Sequence, residues 1–270
     1  MALIFKEEGH VYESIDGDPI KWTSVTSFIS MFKPKFDAKT QAKKSSKNKR
    51  SKWYGMTPKE IIDAWDSEKN RAIELGNFYH NQREADLLSL KTIEREGVEV
   101  PIIKPVIDEN GVKYAPDQKI TDGVYPEHFV YLKSSSLCGQ ADLVEVVNGH
   151  VNITDYKTNK EIKKEGFTNW EGITSKMYNP VKHLDDCNFN HYSLQMSIYM
   201  YIILKHNPQL KPGKLTLQHV KFKQVGEDKN GYPINEHVNG EPVLEEVIMH
   251  DVPYLKAEVK SLLNWLKINR

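Results

Sequence analysis

The 270-residue chain contains no run of eighteen apolar residues, so no transmembrane helix is expected. Its two cysteines, Cys138 and Cys187, form no CxxC pair, which argues against a thiolate zinc site or an iron–sulfur cluster. So little cysteine suits a reducing, cytoplasmic compartment. The start, Met1 to His10, carries Lys6, Glu7 and Glu8 close behind a very short apolar run, the pattern of neither a secretion signal nor an acid-poor transit peptide. Net charge is lacking too: 37 basic and 37 acidic residues cancel, so overall charge predicts no polyanionic partner. No internal repeat is present. What the chain does have is 39% hydrophobic and 27% charged residues, the balance of a globular protein with a substantial core. Its length fits one large domain, or one domain with a small appendage.

Local signals place the elements. Leu3-Ile4-Phe5 and Val11-Tyr12, separated by Gly9 and followed by Asp16-Gly17-Asp18-Pro19, predict short strands joined by turns. Ser24 to Ser27 is placed to cap a short helix through Phe28, Ile29 and Phe32, with Pro34 stopping it. Residues 39–52 hold Lys39, Lys43, Lys44, Lys47, Lys49, Arg50 and Lys52 with no acid and almost no aliphatic residue, and are expected to be mobile when alone. Thr57-Pro58-Lys59-Glu60 has the form of a capping box with proline at the first helical position. The helix it opens carries Ile61, Ala64, Trp65, Ala72 and Leu75 at helical spacing, and Gly76 either breaks it or permits a close approach. A further helical stretch spans 80–90, and residues 93–126 give few clear signals. Strands follow at 128–133, 139–147 and 151–157, then a polar loop region at 160–186. A helix is expected over 192–205, a strand over 214–223 and an amphipathic helix over 253–268.

Asn148-Gly149 lies between two apolar strands and is the strongest short hairpin signal, because a type I′ turn needs positive φ at both central residues. A two-residue turn sets Val147 opposite His150, Val144 opposite Ile153, Asp142 opposite Asp155 and Gln140 opposite Lys157. Asp142, Val144, Val146, Val151, Ile153, Asp155 and Lys157 then share one sheet face. That face is apolar near the turn and charged at its far end. Opposed residues hold their Cβ atoms about 5 Å apart, where like charges repel. Two facing carboxylates therefore call for a compensating cation, and Mg²⁺ or Mn²⁺ prefers such oxygen ligands. Lys157 is placed to stabilise a phosphate oxygen or orient the attacking water.

Gly139-Gln140-Ala141-Asp142, then Asp155-Tyr156-Lys157-Thr158, resembles the PD-(D/E)XK nuclease superfamily, and in particular its RecB-like exonuclease branch, which includes phage exonucleases and the mitochondrial genome maintenance exonuclease. Gly76-Asn77-Phe78-Tyr79-His80 is similar to the branch's upstream Gly-x-x-x-His element. Pro126-Glu127 resembles the acidic residue before the first core strand. Gln195-Met196-Ser197-Ile198-Tyr199 resembles the Gln-x-x-x-Tyr helix motif. Ala141 stands where the superfamily name has proline, and the iron–sulfur cysteines of some members are absent. The resemblance implies an α/β (α+β) domain with a restriction-endonuclease-like core: a small central mixed sheet flanked by helices, plus a short N-terminal β-rich extension. It implies a division into residues 1–56, with the strands and a basic DNA-contact segment, and 57–270, the nuclease domain. It also implies Mg²⁺ or Mn²⁺ as the cofactor and no iron–sulfur cluster. His80, Asp142, Asp155 and the Tyr156 carbonyl are the implied metal ligands, and Asp142, Asp155, Lys157, Gln195 and Glu127 the catalytic set, with Glu127 ranked below the hairpin residues.

Nucleic-acid contacts are expected from Lys43, Lys44, Lys47, Lys49, Arg50 and Lys52, with Trp53 and Tyr54 stacking on bases. Thr158, Lys160, Gln195 and Tyr199 complete that set. Phosphate contacts of this kind give little base specificity. The expected activity is a metal-dependent DNA exonuclease acting on single-stranded or end-containing DNA in phage-type replication, recombination or repair, with a recombinase or single-strand-binding protein as a possible partner. The alternatives are an inactive nucleic-acid-binding protein on the same scaffold and a structure-specific flap or junction endonuclease.

Overall fold

A computed structural model describes residues 3–6, 11–14, 20–107, 109, 112–115 and 117–269. The turns expected at Gly9 and at Asp16-Gly17-Asp18-Pro19 lie outside these, as does most of Met1 to His10. The central sheet contains β1 (Thr23–Ser24), β2 (Gly123–Leu132), β3 (Leu137–Val147), β4 (His150–Lys157), β5 (Lys211–Phe222) and β6 (Leu244–Val252). Among the described residues five α-helices accompany it: α1 (Val25–Ser30), α2 (Ala38–Lys47), α3 (Pro58–Leu88), α4 (Asn188–His206) and α5 (Lys256–Ile268). The strand order is β6-β5-β4-β3-β1, and β2 pairs β3 along its other edge. The sheet is mixed, as expected: β4 and β5 run parallel, joined through α4, while β2, β3 and β4 form an antiparallel meander. No helix among the described residues is long and apolar enough to cross a membrane.

The main core lies between the sheet and α1, α4 and α5. Leu194, Met196, Ile198, Met200, Ile202 and Ile203 of α4 are fully buried in it beside Val144, Val146, Val151 and Ile153 of the hairpin. Val25, Phe28, Ile29 and Phe32 belong to the same core, and β1 pairs with β3. A separate antiparallel sheet joins Leu3–Lys6 and Val11–Ser14 to Lys113–Ala115 and Val106–Ile107.

Two expectations need correction. The helix from Pro58 does not end at Gly76; α3 runs 31 residues to Leu88. One internal glycine costs a helix only about 1 kcal/mol, and the intact capping box (Thr57 N–H to Glu60 Oε2, 2.7 Å; Glu60 N–H to Thr57 Oγ1, 3.3 Å) anchors its start. No close approach requires the glycine either: a Cβ there would sit at ordinary contact distance, 3.5 Å, from Thr158 Oγ1. Second, the basic stretch, expected to be mobile when alone, is helical from Ala38 to Lys47. Asp37 accepts the Thr40 N–H and caps α2, and Ala42 packs with Trp53, Ile61 and Ala64 against α3. Burial of that small face supplies the order that composition alone does not. Residues 93–126 also hold a hairpin, Thr92–Arg95 with Val98–Pro101, turned by Glu96 and Gly97, both at positive φ.

Candidate metal centre

Asn148 (φ 51°) and Gly149 (φ 72°) form the expected turn, and the Asp122 carboxylate accepts both of their N–H groups. The ladder runs from Val147↔His150 through Val144↔Ile153 to Leu143↔Thr154, and ends there. The next pair in register is Asp142 with Asp155, expected as direct ladder partners. They are not, because Asp142 Oδ2 itself accepts the Tyr156 N–H at 2.6 Å. The carboxylate takes the place of a backbone carbonyl and the strands part. Further along, β1 takes up the vacated edge of β3 at Leu137 and Cys138.

On the other edge of β3 the register brackets a second irregularity. Pro126 pairs with Leu143 and His128 with Ala141, so Glu127 faces Asp142. Glu127 has φ 47°, a left-handed conformation that disfavours a side chain by about 1–2 kcal/mol. Its carbonyl accepts Gln140 Nε2 at 3.1 Å, which fixes the distortion. Such strain persists where the surroundings impose it, commonly at functional sites.

His80 enters from α3. Its Nδ1 lies 3.7 Å from Glu127 Oε1 and 3.6 Å from Asp142 Oδ1, and its Nε2 donates to the Tyr156 carbonyl at 3.2 Å. One ligand atom each from His80, Glu127 and Asp142 falls within 4.8 Å of the others. α3 is held in place by Tyr79, whose ring packs edge-on against Tyr156 and whose hydroxyl accepts Gln218 Nε2 at 2.6 Å.

Asp155 is 2% exposed. Its Oδ2 lies 2.5 Å from Lys157 Nζ, but neither oxygen accepts a well-aligned hydrogen bond. Lys157 Nζ also donates to the Tyr156 carbonyl at 3.2 Å and lies 4.9 Å from the centre of the Tyr192 ring. The Tyr192 hydroxyl donates to Asn159 Oδ1 at 2.7 Å, and His219, the β5 neighbour of Lys157, donates to the Asn159 carbonyl at 2.6 Å.

The electrostatics follow from crowding. Burial pushes the Asp155 carboxyl up to about 6; Lys157 opposes the shift and Asp142 adds to it. Asp142 is raised as well, by burial against the pull of Lys157 and His80. Burial disfavours the charged form of His80, yet the neighbouring Glu127 and Asp142 carboxylates outweigh it and raise the imidazole to about 9. Burial likewise works against the Lys157 charge, and Asp155 and Asp142 overcome it, so the ammonium is held more firmly than an ordinary lysine's.

The donor set fits a hard divalent cation. Two carboxylates, an imidazole and a carbonyl oxygen converge, and Asp155 keeps two buried oxygens without hydrogen bonds. The His80 ring lies between the two acids and the Tyr156 carbonyl. Of the metal ligands expected from sequence, His80, Asp142 and Tyr156 come together; Asp155 is turned to Lys157, and Glu127 stands in the cluster instead.

The other expected residues divide. Gln195 is half-buried and donates to the Tyr199 hydroxyl at 3.2 Å, not to a carboxylate of the site. Tyr199 is 3% exposed with its ring packed on Gly139, so it offers no surface to a nucleic acid. Trp53 is also buried, and its stacking role is withdrawn for the same reason. Lys52 is exposed but engaged: its Nζ donates to the Asn230 carbonyl at 2.6 Å and lies 4.6 Å from the Trp53 ring and 4.4 Å from the Tyr232 ring. Lys43, Lys44, Lys47, Lys49, Arg50 and Tyr54 are exposed on and after α2. Thr158 and Lys160 line a groove with Arg71, Leu75 and Asn235, beside the end of β4. Gln140, Tyr192 and His219 were missed. They act through neighbours, and only Gln140, inside the Gly139–Asp142 motif, lay where a local signal pointed.

A carboxylate–imidazole cluster where two strands part, with a lysine beside it, suits a metal-dependent nuclease. Comparison of sequences agrees: the PD-(D/E)XK nuclease superfamily model matches residues 37–267, and the chain belongs to that superfamily. No curated protein matches the chain.

Proposed function

We propose that the protein is a DNA nuclease using Mg²⁺ or Mn²⁺, and that it acts as an exonuclease on single-stranded or end-containing DNA. The observation that carries this reading is the convergence of His80, Glu127, Asp142 and the Tyr156 carbonyl beside the buried Asp155–Lys157 pair. Glu127, Asp142, His80 and Tyr156 would hold the cation, with an Asp155 oxygen completing the set. Bound there, the cation would polarise a phosphoryl oxygen and acidify a water molecule. Lys157, kept charged, donates hydrogen bonds and does not serve as a base: it orients water and offsets charge developing on the phosphate. Gln195 acts through Tyr199, which seats the Gly139–Asp142 strand. Lys43, Lys44, Lys47, Lys49 and Arg50 supply sequence-independent phosphate contacts, Tyr54 a stacking surface, and Thr158 and Lys160 contacts near the scissile bond. Phage-type replication, recombination or repair in a cytoplasmic setting fits this reading.

The direct test uses end-labelled single-stranded DNA, linear duplex, covalently closed circles and RNA, each with Mg²⁺, Mn²⁺ or EDTA. Metal-dependent loss of the linear DNAs with circles intact is the expected result. Cutting of closed circles overturns the exonuclease assignment, and no cleavage of any substrate overturns the enzyme assignment.

Metal binding should also displace protons. A ligating imidazole must be neutral, and His80 holds its proton up to about pH 9. Near pH 7.5 each bound Mn²⁺ should therefore release close to one proton. Below about pH 6 Asp155 adds a second source, and affinity falls further. Calorimetric titration in buffers of different ionisation enthalpy measures the number directly; a value near zero at pH 7.5 removes His80 from the ligand set.

A further inference from the structure

The segment joining β4 to α4 carries an exposed aromatic hairpin that the metal centre does not use. Phe167 is 78% exposed, Trp170 92% and Ile173 63%. Large apolar groups at a flexible loop tip would be unremarkable, but this tip is built. Asn169 Oδ1 accepts the N–H groups of Glu171 and Ile173, and the Asn169 carbonyl accepts Gly172 N–H. Thr168 and Thr174 pair across the hairpin with their hydroxyls 2.9 Å apart, and Ser175 N–H donates to the Phe167 carbonyl. At the base, Gly166 N–H is held by Asp185, which also pairs with Lys176, and Met177 is buried in the main core. Rigid scaffolding thus holds a tryptophan in water, where an unconstrained chain would fold it back against apolar neighbours.

The surroundings indicate the occupant. Tyr178 N–H donates to the Phe32 carbonyl at 2.7 Å, which ties the hairpin's base to the end of α1. The chain then runs directly into Lys33, Lys35, Lys39, Lys43, Lys44, Lys47, Lys49 and Arg50, with Asp37 the one acid, spent on the α2 cap. On its other flank the segment begins at Thr158, the residue after Lys157. Pre-set aromatic faces on a segment anchored where a basic track begins suit a single strand: phosphates follow the charge and bases stack on the rings. A protein partner gains nothing from a run of cations unless it is acidic.

We infer that the hairpin tip, Trp170 with Phe167, is a stacking platform for unpaired bases of the DNA strand entering the site. This rests on the nuclease reading for its biological sense, but not for its measurement. The test is fluorescence-anisotropy binding of a labelled oligothymidylate in EDTA, where no cleavage occurs. Trp170→Ala is expected to weaken binding about tenfold, and Trp170→Leu about as much, since leucine is apolar but not planar. Trp170→Phe should stay within about threefold of wild type. An oligonucleotide lacking bases should bind all four proteins alike. The side chain is exposed, so melting temperatures should be unchanged, and any variant that melts lower is replaced by Phe167→Ala for the same comparison. Equal binding by Trp170→Ala and wild type overturns the inference, as does leucine matching phenylalanine, the signature of an apolar protein-docking tip. If wild-type protein binds as expected yet cleaves nothing with metal, the nuclease reading fails and the platform stands. If it cleaves and Trp170→Ala binds normally, the platform alone fails.

Discussion

Alanine in place of Lys157 is expected to slow metal-supported cleavage by about 10²–10³-fold with little change in KM, the loss typical of one positioned donor in a low-dielectric site. Among the described residues Lys157 is the one cation paired with Asp155, so the same substitution leaves a buried carboxylate without its partner. Breaking a buried pair on one side typically costs about 3–5 kcal/mol, and the variant should melt several degrees lower. The two losses separate in the double variant Asp155→Asn with Lys157→Met. Neither member of the pair is then charged, most of the stability returns, and activity does not. Tyr192→Leu extends the argument one residue outward. It removes the ring 4.9 Å from the ammonium, a contact of about 0.5–2 kcal/mol, and should lower kcat roughly tenfold without raising KM. Tyr192→Phe keeps the ring and should recover most of it. Single-turnover rates and thermal melts of these variants check both parts. A Lys157→Ala protein as fast as wild type would remove Lys157 from the mechanism.

The second large effect is on folding. An added Cβ at Gly139 would lie 2.7 Å from a Tyr199 ring carbon and 2.9 Å from its hydroxyl. Tyr199 is buried in the main core and has little room to retreat. Gly139→Ala should destabilise the protein by about 1–3 kcal/mol, the usual penalty for overpacking a core. Because Gln195 is bonded to the displaced hydroxyl, activity should fall as well. Tyr199→Leu makes room and should restore stability to Gly139→Ala while costing stability in the wild-type background. Denaturant midpoints for the four proteins measure this coupling; additive effects would mean that the ring and the glycine do not meet.

What the sequence made legible was local. Asn148-Gly149 fixed the register of its hairpin because two positive-φ residues leave one turn type. Thr57 to Glu60 marked the start of α3 because a capping box is self-contained. Tertiary choices were not legible in the same way. Nothing in residues 150–157 announces that β4 will pair in parallel with a strand more than fifty residues later, yet that pairing sets His219 beside Lys157 and, through Asn159, braces Tyr192. The basic stretch has the composition of a mobile segment; one buried alanine and a neighbouring tryptophan settle it as a helix on α3. The same packing takes Trp53 away from the surface. Glu127 was named on resemblance alone and ranked below the hairpin residues; its approach to His80 depends on a backbone conformation that an L-residue with a long side chain rarely adopts and that no local pattern announces.

That conformation has a consequence for how the protein tolerates change. Glycine or asparagine suits φ 47° at position 127 better than glutamate does. Substitution there relieves the backbone while it removes the carboxylate. With the proposed role of the Glu127 carboxylate, the most durable protein and the working one differ at this residue, and a selection for heat resistance alone would drift away from glutamate.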